Sequence, residues 1–364
     1  MPEAGSVGTV WSAEQHELAM LPVRGDGVGA PGAIRLSFRA IDEPEPGERW
    51  LAAFAGMWPA YRAWYLKEGE SARPDLSTCR RMLEKWMPEL EPTFEKLVEL
   101  AAGDPLAARF LSMYGPPGFV IGCSQAAFTG EGGPVLVRNY DYPMARLEGM
   151  IYSTEWTGRR VIGMSDCLWG LVDGVNDAGL AVSLTFGGRR AVGEGFGIPI
   201  VIRYLLEVGT TVAEACEVLR RVPVHAAQNV TLLDRNRDFA TVFVGPDREP
   251  ELLNVAVATN YQRRGDWPEY AAAVATFERE HRLLELLRAP GITADQLVHQ
   301  FLEFPLYRTE FATGIGTLYT AAYFPDSGRA EYRWPQFTMA QSFEDFKEHR
   351  HVQRYVDAPT GAAA

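Results

Sequence analysis

The chain has 364 residues and an apolar fraction of 47%, as in an ordinary globular protein that buries its own core without disulfide or metal support. Its formal charge is −12, from 47 acidic and 35 basic residues. This balance argues against a nucleic-acid groove or an anionic membrane surface as the partner, because both require concentrated Lys and Arg.

The cysteines and histidines predict neither a metal site nor another cofactor. The four cysteines are widely spaced with no CxxC pair, and the six histidines form no ligand motif. The first residues have no basic segment followed by an apolar run, and no apolar stretch reaches about 18 residues. We therefore expect a cytoplasmic protein with reduced thiols and no membrane span.

Before residue 118 the pattern predicts an arm, one strand and several helices. Residues 1–35 are rich in Gly, Pro and Ala without periodicity, which is typical of a mobile arm. The stretch "AIRLSFRAID" at 33–42 alternates as a strand does. Five aromatic residues then recur at helical spacing, which predicts a core-facing helix that kinks or breaks near Pro59. They are Trp50, Phe54, Trp58, Tyr61 and Trp64. A further helical stretch follows at 77–102.

From residue 118 onward, short β-like runs are separated by Gly, Asn or Asp at turn positions. Helical pairs interrupt these runs at 198–222 and 269–304. Two sheets packed face to face with helices outside would satisfy this order, as would one mixed sheet. The hairpin turns favour mainly antiparallel pairing.

The stretch "GCSQAAFTGEGGPVLVRNYDYP" contains Cys123 and is the most informative part of the chain. Its "GEGG" turn predicts a hairpin in which Cys123 lies across from Tyr140, within one residue. Arg138 and Asp141 would then be close to the thiol, although the sequence leaves their face of the sheet open. A neighbouring guanidinium favours the thiolate, and a carboxylate can orient an amine or a protonated base.

The sequence offers two bases for such a thiol. His225 is the only histidine in the β-rich part, but no motif links it to Cys123. The alternative base is the α-amino group of the cysteine itself, with an unperturbed pKa of about 7.7–8.0. That group becomes free only if the Gly122–Cys123 bond is cut. Glycine favours such self-cleavage because it has no Cβ to obstruct attack on its carbonyl and tolerates strained dihedral angles.

These residues resemble the cysteine-type N-terminal-nucleophile (Ntn) hydrolases. Within them the chain is most similar to the acyl-CoA:6-aminopenicillanate acyltransferase group, which is related to penicillin V acylases and bile-salt hydrolases. The Gly-Cys pair, with Arg and Asp 15 and 18 residues after the cysteine, is the most specific part of the resemblance. Further matching segments lie between about residues 85 and 335: "GVNDAGLAVSLTF" (174–186), "AAQNVTLLD" (226–234), "ATNYQ" (258–262) and "GTLYTAAYFP" (316–325).

The resemblance implies an α+β fold, an αββα sandwich of two mainly antiparallel sheets flanked by helices, with a helical N-terminal segment. It implies a zymogen that cuts itself between Gly122 and Cys123. The fragments, 1–122 and 123–364, would stay associated in one αββα unit. Cys123 would be the nucleophile and its new amine the base. The partner would be a small-molecule amide or thioester, and homo-oligomerisation is left open.

The resemblance also implies roles for other residues. Asp141 would hold the new amine, Arg138 would set the charge balance or hold substrate, and Asn260 would contribute to the oxyanion hole. Thr185 stands where relatives place a substrate-contacting or oxyanion-assisting Asn or Tyr, so its role is open. The remaining candidates are Tyr140, Arg308 and, as the support of a backbone turn beside the site, Asn229.

Three functions are compatible with these residues. The first is a self-processing amidase or acyltransferase that forms an acyl-Cys123 thioester and passes the acyl group to water or an amine. The second is a Cys–His peptidase that uses His225 without self-cleavage. The third is an unprocessed, non-catalytic relative that acts as a binding protein.

Overall fold

Strands and helices alternate along the part of the chain that the computed structural model describes, residues 9–10, 33–263, 267–311, 314 and 316–356. The strands there are β1 (Thr9–Val10), β2 (Ala33–Asp42), β3 (Gly122–Phe128), β4 (Val135–Asp141), β5 (Met150–Thr154), β6 (Val161–Asp166), β7 (Gly170–Asn176), β8 (Leu180–Phe186), β9 (Ala191–Val192), β10 (Gln228–Asp234), β11 (Phe239–Gly245), β12 (Arg248–Leu253), β13 (Val257–Ala258), β14 (Thr317–Phe324), β15 (Arg329–Trp334), β16 (Phe337–Ser342) and β17 (His349–Val356). The helices are α1 (Glu48–Tyr65), α2 (Leu76–Trp86), α3 (Glu91–Leu100), α4 (Pro105–Leu111), α5 (Ile198–Val208), α6 (Val212–Arg221), α7 (Pro268–Ala273), α8 (Thr276–Arg288) and α9 (Ala294–Gln300).

Two large sheets carry most of these strands. The first has nine strands in the order β12-β11-β10-β8-β7-β6-β5-β2-β17, and the second has six in the order β13-β3-β4-β14-β15-β16. Neighbouring strands pair antiparallel, except that β2 and β5 are parallel. A separate two-stranded pair joins β1 to β9. The expected α+β fold with two mainly antiparallel sheets is confirmed.

The two sheets face each other and are joined by polar as well as apolar contacts. Gln125 of β3 accepts a hydrogen bond from Ser183 of β8 (2.6 Å) and donates one to Thr231 of β10 (2.7 Å). Every residue of β3, β4, β7 and β8 is buried. Strands that are buried on both faces have a partner sheet on one side and helices on the other. The hairpin that carries Cys123 therefore lies in the middle of the molecule.

Helices cover the outer faces of both sheets. Helix α5 contacts β7 and β8 of the larger sheet. Helices α8 and α9 cover the smaller sheet, where their leucines meet a set of apolar strand residues. This cluster includes Ala126, Phe128, Val135, Val137, Leu283, Leu286, Leu297 and Val298. Burial of such apolar area is the main favourable term that fixes the helices on the sheet.

Of the kink or break expected near Pro59, the break does not occur, because helix α1 continues through that residue. A proline removes the hydrogen bond to the carbonyl four residues earlier, here that of Ala55. Both residues are exposed, so water can satisfy the freed carbonyl. The aromatic face packs against the core as expected. Trp50 and Phe54 are buried and stack at a centroid distance of 5.2 Å, and the other three aromatic residues are half-buried against the core.

The chain before Gly122 is integrated into the larger sheet. Strand β2 lies between β5 and β17 and forms hydrogen bonds with both. Of the arm predicted at 1–35, residues 1–8 and 11–32 lie outside the described residues. Among the helices that are described, none is both long and apolar enough to cross a bilayer.

Candidate active site

The hairpin of β3 and β4 has the register that its turn predicts. Cys123 pairs with Tyr140, and Gly122 pairs with Asp141. Arg138 pairs with Gln125, two residues along the ladder from Cys123. Side chains two residues apart point to the same face of a strand, which brings the Arg138 side chain onto the face of the thiol.

Cys123 is completely buried and held at both its sulfur and its backbone nitrogen. The Sγ atom accepts a hydrogen bond from Nη2 of Arg138 at 3.2 Å. The backbone N–H donates to Oδ1 of Asn260 at 2.9 Å. Burial raises the pKa of the thiol, and the positive charge of Arg138 opposes that increase. In the intact chain the thiol therefore stays protonated at neutral pH.

The guanidinium of Arg138 is fully buried, and Asp173 balances its charge. Nη1 of Arg138 lies 2.5 Å from the carboxylate of Asp173 and 2.8 Å from the carbonyl of Val172. Tyr319 donates a hydrogen bond to the same carboxylate at 2.8 Å. The Arg138 guanidinium also lies over the ring of Tyr140, 4.6 Å from its centroid. A buried cation requires such compensation, since an unpaired one would cost several kcal/mol, roughly.

Asp141 is held from two sides by residues far away in sequence. Its Oδ2 accepts from Nη1 of Arg279 at 2.5 Å, and its Oδ1 accepts from the hydroxyl of Thr317 at 2.7 Å. The other terminal nitrogen of Arg279 donates to Oδ1 of Asn260 at 3.0 Å. Arg279 thus connects the carboxylate that flanks Gly122 to the amide that holds the nitrogen of Cys123.

The peptide segment before Cys123 is fixed on the same amide. The carbonyl of Ile121 accepts from the hydroxyl of Tyr270 at 2.5 Å and from Nδ2 of Asn260 at 3.2 Å. A Cβ atom added at Gly122 would lie 3.1 Å from Cβ of Asp141, which is tighter than ordinary van der Waals contact. Glycine is therefore the residue that this close approach favours at position 122.

Thr185 and Asn229 support the backbone beside Asn260 and do not bind the thiol. Thr185 donates to the carbonyl of Thr259 at 2.9 Å. Asn229 donates to the hydroxyl of Thr185 at 3.0 Å and to the carbonyl of Thr259 at 2.7 Å. Both side chains hold the residue that precedes Asn260. Asn229 thus has the backbone-supporting role that its position indicated.

Arg308 contacts the residues that support Asp141 and not the thiol. Its guanidinium donates to the carbonyl of Ala273 at 2.8 Å and pairs with Glu310 at 3.1 Å. Its backbone N–H donates to the hydroxyl of Thr317 at 2.9 Å. Through Thr317 it supports Asp141. The structure therefore gives Arg308 a supporting position.

His225 is separate from this cluster. Its Nδ1 donates to the carbonyl of Gly193 at 2.5 Å, and burial lowers the pKa of the ring to about 4. A Cys–His pair would require a nitrogen of this ring within hydrogen-bond reach of the thiol. Instead, the thiol of Cys123 bonds to Arg138. Among the described residues there is also no group of three or more side chains suited to a metal ion.

Sequence reasoning missed four residues of the cluster: Asp173, Tyr270, Arg279 and Thr317. One of them had a visible signal, because the buried positions of α8 are Thr276, Arg279, Leu283 and Leu286. A cation on the apolar side of a helix needs a buried anion, so its position indicates a charged site beneath the helix. Asp173 gave a similar signal as a carboxylate inside the apolar strand "GLVDGVN".

Comparison with known proteins gives a family and a set of similar folds. The family model described as acyl-coenzyme A:6-aminopenicillanic acid acyl-transferase matches residues 128–338, more than half of the chain. The match begins five residues after Cys123. Curated protein sequences give no significant match.

Three solved structures align with about two thirds of this chain. Penicillin V acylase from Agrobacterium tumefaciens is 16% identical, with a TM-score of 0.44 and coverage of 64% of this chain and 90% of that one. The Caenorhabditis elegans N-acylethanolamine-hydrolyzing acid amidase ortholog is 15% identical, with a TM-score of 0.45 and coverage of 64% and 100%. A mutant conjugated bile acid hydrolase from Clostridium perfringens is 11% identical, with a TM-score of 0.41 and coverage of 65% and 97%.

Proposed function

The chain belongs to the acyl-coenzyme A:6-aminopenicillanic acid acyl-transferase family, and from that premise we propose that it is a self-processing cysteine amidohydrolase or acyltransferase. One observation carries this proposal. The sulfur of Cys123 faces the Arg138 guanidinium while its backbone nitrogen faces the Asn260 amide, directly after a glycine at which an added Cβ would be crowded by Asp141.

The first proposed reaction is cleavage of the chain itself. The sulfur of Cys123 attacks the carbonyl carbon of Gly122, the C–N bond breaks, and the thiol proton passes to the departing nitrogen. Water then attacks the resulting thioester, the C–S bond breaks, and Gly122 becomes a carboxylate. The products are fragments 1–122 and 123–364, the second with a free α-amine on Cys123. Burial of both ends of β3 and the Asn260 contact support this geometry.

The new amine would be the base of the mature enzyme. It would start from the place of the present Cys123 N–H, 2.9 Å from Oδ1 of Asn260. Asp141 pairs with Gly122 across the ladder, so departure of the glycine would open a path between the amine and this carboxylate. An amine with a pKa of about 7.7–8.0 suits general base catalysis near neutral pH.

Cleavage would also free an oxyanion donor. In the intact chain, Nδ2 of Asn260 donates to the carbonyl of Ile121, which belongs to the segment before the scissile bond. Movement of that segment would release this N–H toward the substrate carbonyl. One such donor contributes about 2.7–4 kcal/mol to acyl transfer. Arg279 would keep the amide in place through its bond to Oδ1.

Substrate turnover would follow the same chemistry. The amine of Cys123 takes the thiol proton, the sulfur attacks the acyl carbon, and the proton passes to the leaving amine or thiol. Water or an acceptor amine then cleaves the acyl-Cys123 thioester. The two fragments would stay associated, because β2 of the first is hydrogen-bonded between β5 and β17 of the second.

The acyl-enzyme tests this function. The mature protein is mixed with coumarin amides of short alkanoic and phenylacetic acids, quenched in acid and weighed by mass spectrometry. We expect the mass of one acyl group on the fragment that begins at Cys123, and its removal by hydroxylamine. Turnover without such an adduct, or turnover that persists after alkylation of Cys123, would contradict the proposal. Peptide mapping compares the extent of alkylation at Cys123 with that at Cys79, a buried cysteine in α2 that serves as the reference.

A further inference from the structure

A cavity of about 210 Å³ lies between helix α1 and the loop that follows β4. It is called the Asp166 cavity here. Its wall combines aromatic rings with two carboxyl groups. The residues that matter are Tyr61, Trp64, Phe119, Tyr142, Glu148 and Asp166. Engineered protein cavities of about 150 Å³ bind benzene, so the space is sufficient for a ring or a short alkyl chain.

The two carboxyl groups are joined through one phenol. Glu148 accepts from the hydroxyl of Tyr61, from the backbone N–H of Leu168 (2.7 Å) and from the hydroxyl of Ser165 (2.8 Å). Asp166 is 7% exposed, and its Oδ1 accepts from the N–H of Cys167 at 3.0 Å and from the same Tyr61 hydroxyl at 3.3 Å. Of the two carboxyl groups that line the cavity, that of Asp166 therefore accepts fewer hydrogen bonds.

The cavity wall has two carboxyl groups and one guanidinium, that of Arg146. Burial raises the pKa of both carboxyl groups, and the charge of Glu148 helps to raise that of Asp166 to about 7. Neither carboxyl group forms an ion pair with another described residue. Arg146 also lines the cavity, where it is hydrogen-bonded to Tyr142. Arg138 acts on Asp166 from farther away, and Asp173 already balances it.

Two tyrosines whose rings are tilted by 43° lie between the cavity and the nucleophile. Tyr142 directly follows Asp141, and its ring lies 5.1 Å from that of Tyr140. Tyr140 in turn lies against the Arg138 guanidinium that holds the sulfur of Cys123. The cavity thus adjoins the reacting residues through the strand that carries them.

We propose that the Asp166 cavity binds a protonated amine carried on an apolar body of about the size of a phenyl ring or a short alkyl chain. The aromatic walls accept the body and can also attract the cation through their faces. Asp166 supplies the counter-charge that the head group needs in a buried place. Under the proposed function, on which this last assignment rests, the ligand is part of the substrate. The amine can belong to the acyl group or to the leaving group.

Calorimetric titration of the purified protein, with fragments 1–122 and 123–364 associated, tests the binding without any need for turnover. The probes are 4-phenylbutylamine and its neutral analogue 4-phenylbutan-1-ol. We expect the amine to bind at least tenfold more tightly, and Asp166→Asn to remove that preference. Ala60→Phe, which fills the cavity from α1, should abolish binding of both probes. Asp177→Asn, at a carboxylate paired with Arg159 outside the cavity, is the matched control and should change nothing.

The calorimetric result alone decides whether the cavity binds the protonated amine. Equal affinity for the two probes, no binding of either, or an unchanged preference in Asp166→Asn would each overturn the proposal. A circular dichroism melt of each variant confirms that it is folded before its titration is counted.

Two matched pairs of substrates then show whether the amine belongs to the acyl group or to the leaving group. The acyl-side pair is the coumarin amide of 6-aminohexanoic acid against that of heptanoic acid. The amine-side pair is N-hexanoyl-1,6-diaminohexane against N-hexanoyl-hexylamine. We expect at least a tenfold higher kcat/KM for the charged member of one pair, lost in Asp166→Asn. No preference in either pair would refute the substrate assignment, whereas hydrolysis of none of the four would count against the proposed function.

Discussion

Among the residues that the structure describes, two arginine–carboxylate pairs have no side-chain exposure at all, and they differ in what the arginine contacts besides its carboxylate. Arg138 pairs with Asp173 between the sheets, and Arg203 of α5 pairs with Glu207 one turn along the helix. All four side chains have no solvent exposure. Arg203 also donates to the carbonyl of Trp169 and to the hydroxyl of Thr154. Its contacts are to the backbone and to a hydroxyl group.

Arg138 differs because one of its nitrogens binds a thiol that follows a glycine. A buried ion pair does not by itself indicate a functional site, because every buried charge needs an opposite charge beside it. A reactive group within hydrogen-bond distance is what makes one of the two pairs a candidate site. The same substitution at each pair therefore separates structure from chemistry.

The largest expected effect comes from Arg138→Met compared with Arg203→Met. Each change leaves a buried carboxylate unpaired and should lower the free energy of unfolding by about 3–5 kcal/mol. Only Arg138→Met removes the donor to the sulfur of Cys123, so self-cleavage should slow by about 10²-fold or more. Cleavage is followed by intact mass and stability by urea unfolding. Equal slowing in both variants would mean that Arg138 acts only through stability.

Arg279→Met should have the next largest effect, because Arg279 orients both Asp141 and Asn260. We expect cleavage and turnover to slow by about 10²-fold, the scale for loss of one positioned group in acyl transfer. Arg282→Met, on the same helix but partly exposed, is the control and should stay within about threefold. Partial rescue by Arg279→Lys would support a charge role, and full activity of Arg279→Met would exclude it.

The hairpin of β3 and β4 and helix α8 show which parts of the site the sequence predicts and which it does not. The turn between β3 and β4 was readable, and the observed pairing of Cys123 with Tyr140 follows from it. Turn chemistry and alternation act locally, so they can be read from neighbouring residues. Arg279 meets Asp141 across 138 positions of chain. Such a contact depends on how a helix sits on a sheet, which local patterns do not specify.

The same distinction between local and tertiary interactions explains where the structure agrees with the sequence elsewhere and where it differs. The Thr293–Gln296 capping box is a feature that neighbouring residues specify, because the cap is made within one turn of chain. Of the kink or break expected near Pro59, the break is absent, because the exposure of that side of α1 depends on tertiary packing. The resemblance to cysteine-type Ntn hydrolases identified Asp141 and Asn260 as candidate site residues. It could not reveal that Thr185 and Arg308 face the supporting backbone.

Gly122→Ala tests the close approach at the scissile bond. The new Cβ would lie 3.1 Å from Cβ of Asp141, so the hairpin must shift by a few tenths of an ångström. We expect cleavage to slow about tenfold, or ~1.4 kcal/mol in the barrier. Gly56→Ala, where a Cβ meets nothing within 4 Å, should leave the cleavage rate unchanged. An unaffected rate in Gly122→Ala would show that position 122 has room to spare.

His225→Ala should have the smallest effect on activity, because the ring bonds to Gly193 and not to the thiol. Cleavage should stay within about threefold of the wild type. The pKa of His225 is lowered to about 4 when folded, against about 6.5 when unfolded. Unfolding therefore takes up a proton between these values, and stability falls as the pH drops from about 6.5 to 4. Urea unfolding of His225→Ala should show a weaker fall over that range.

The central claim is that the Gly122–Cys123 bond is cut by the protein itself, and the intact mass of purified protein tests it most directly. We predict two associated fragments, 1–122 and 123–364, in the wild type, and one uncut chain of 364 residues in Cys123→Ala. Cys216→Ala, at a buried cysteine of α6, should be cut like the wild type. A single full-length wild-type species that is stable for days at neutral pH would contradict the claim.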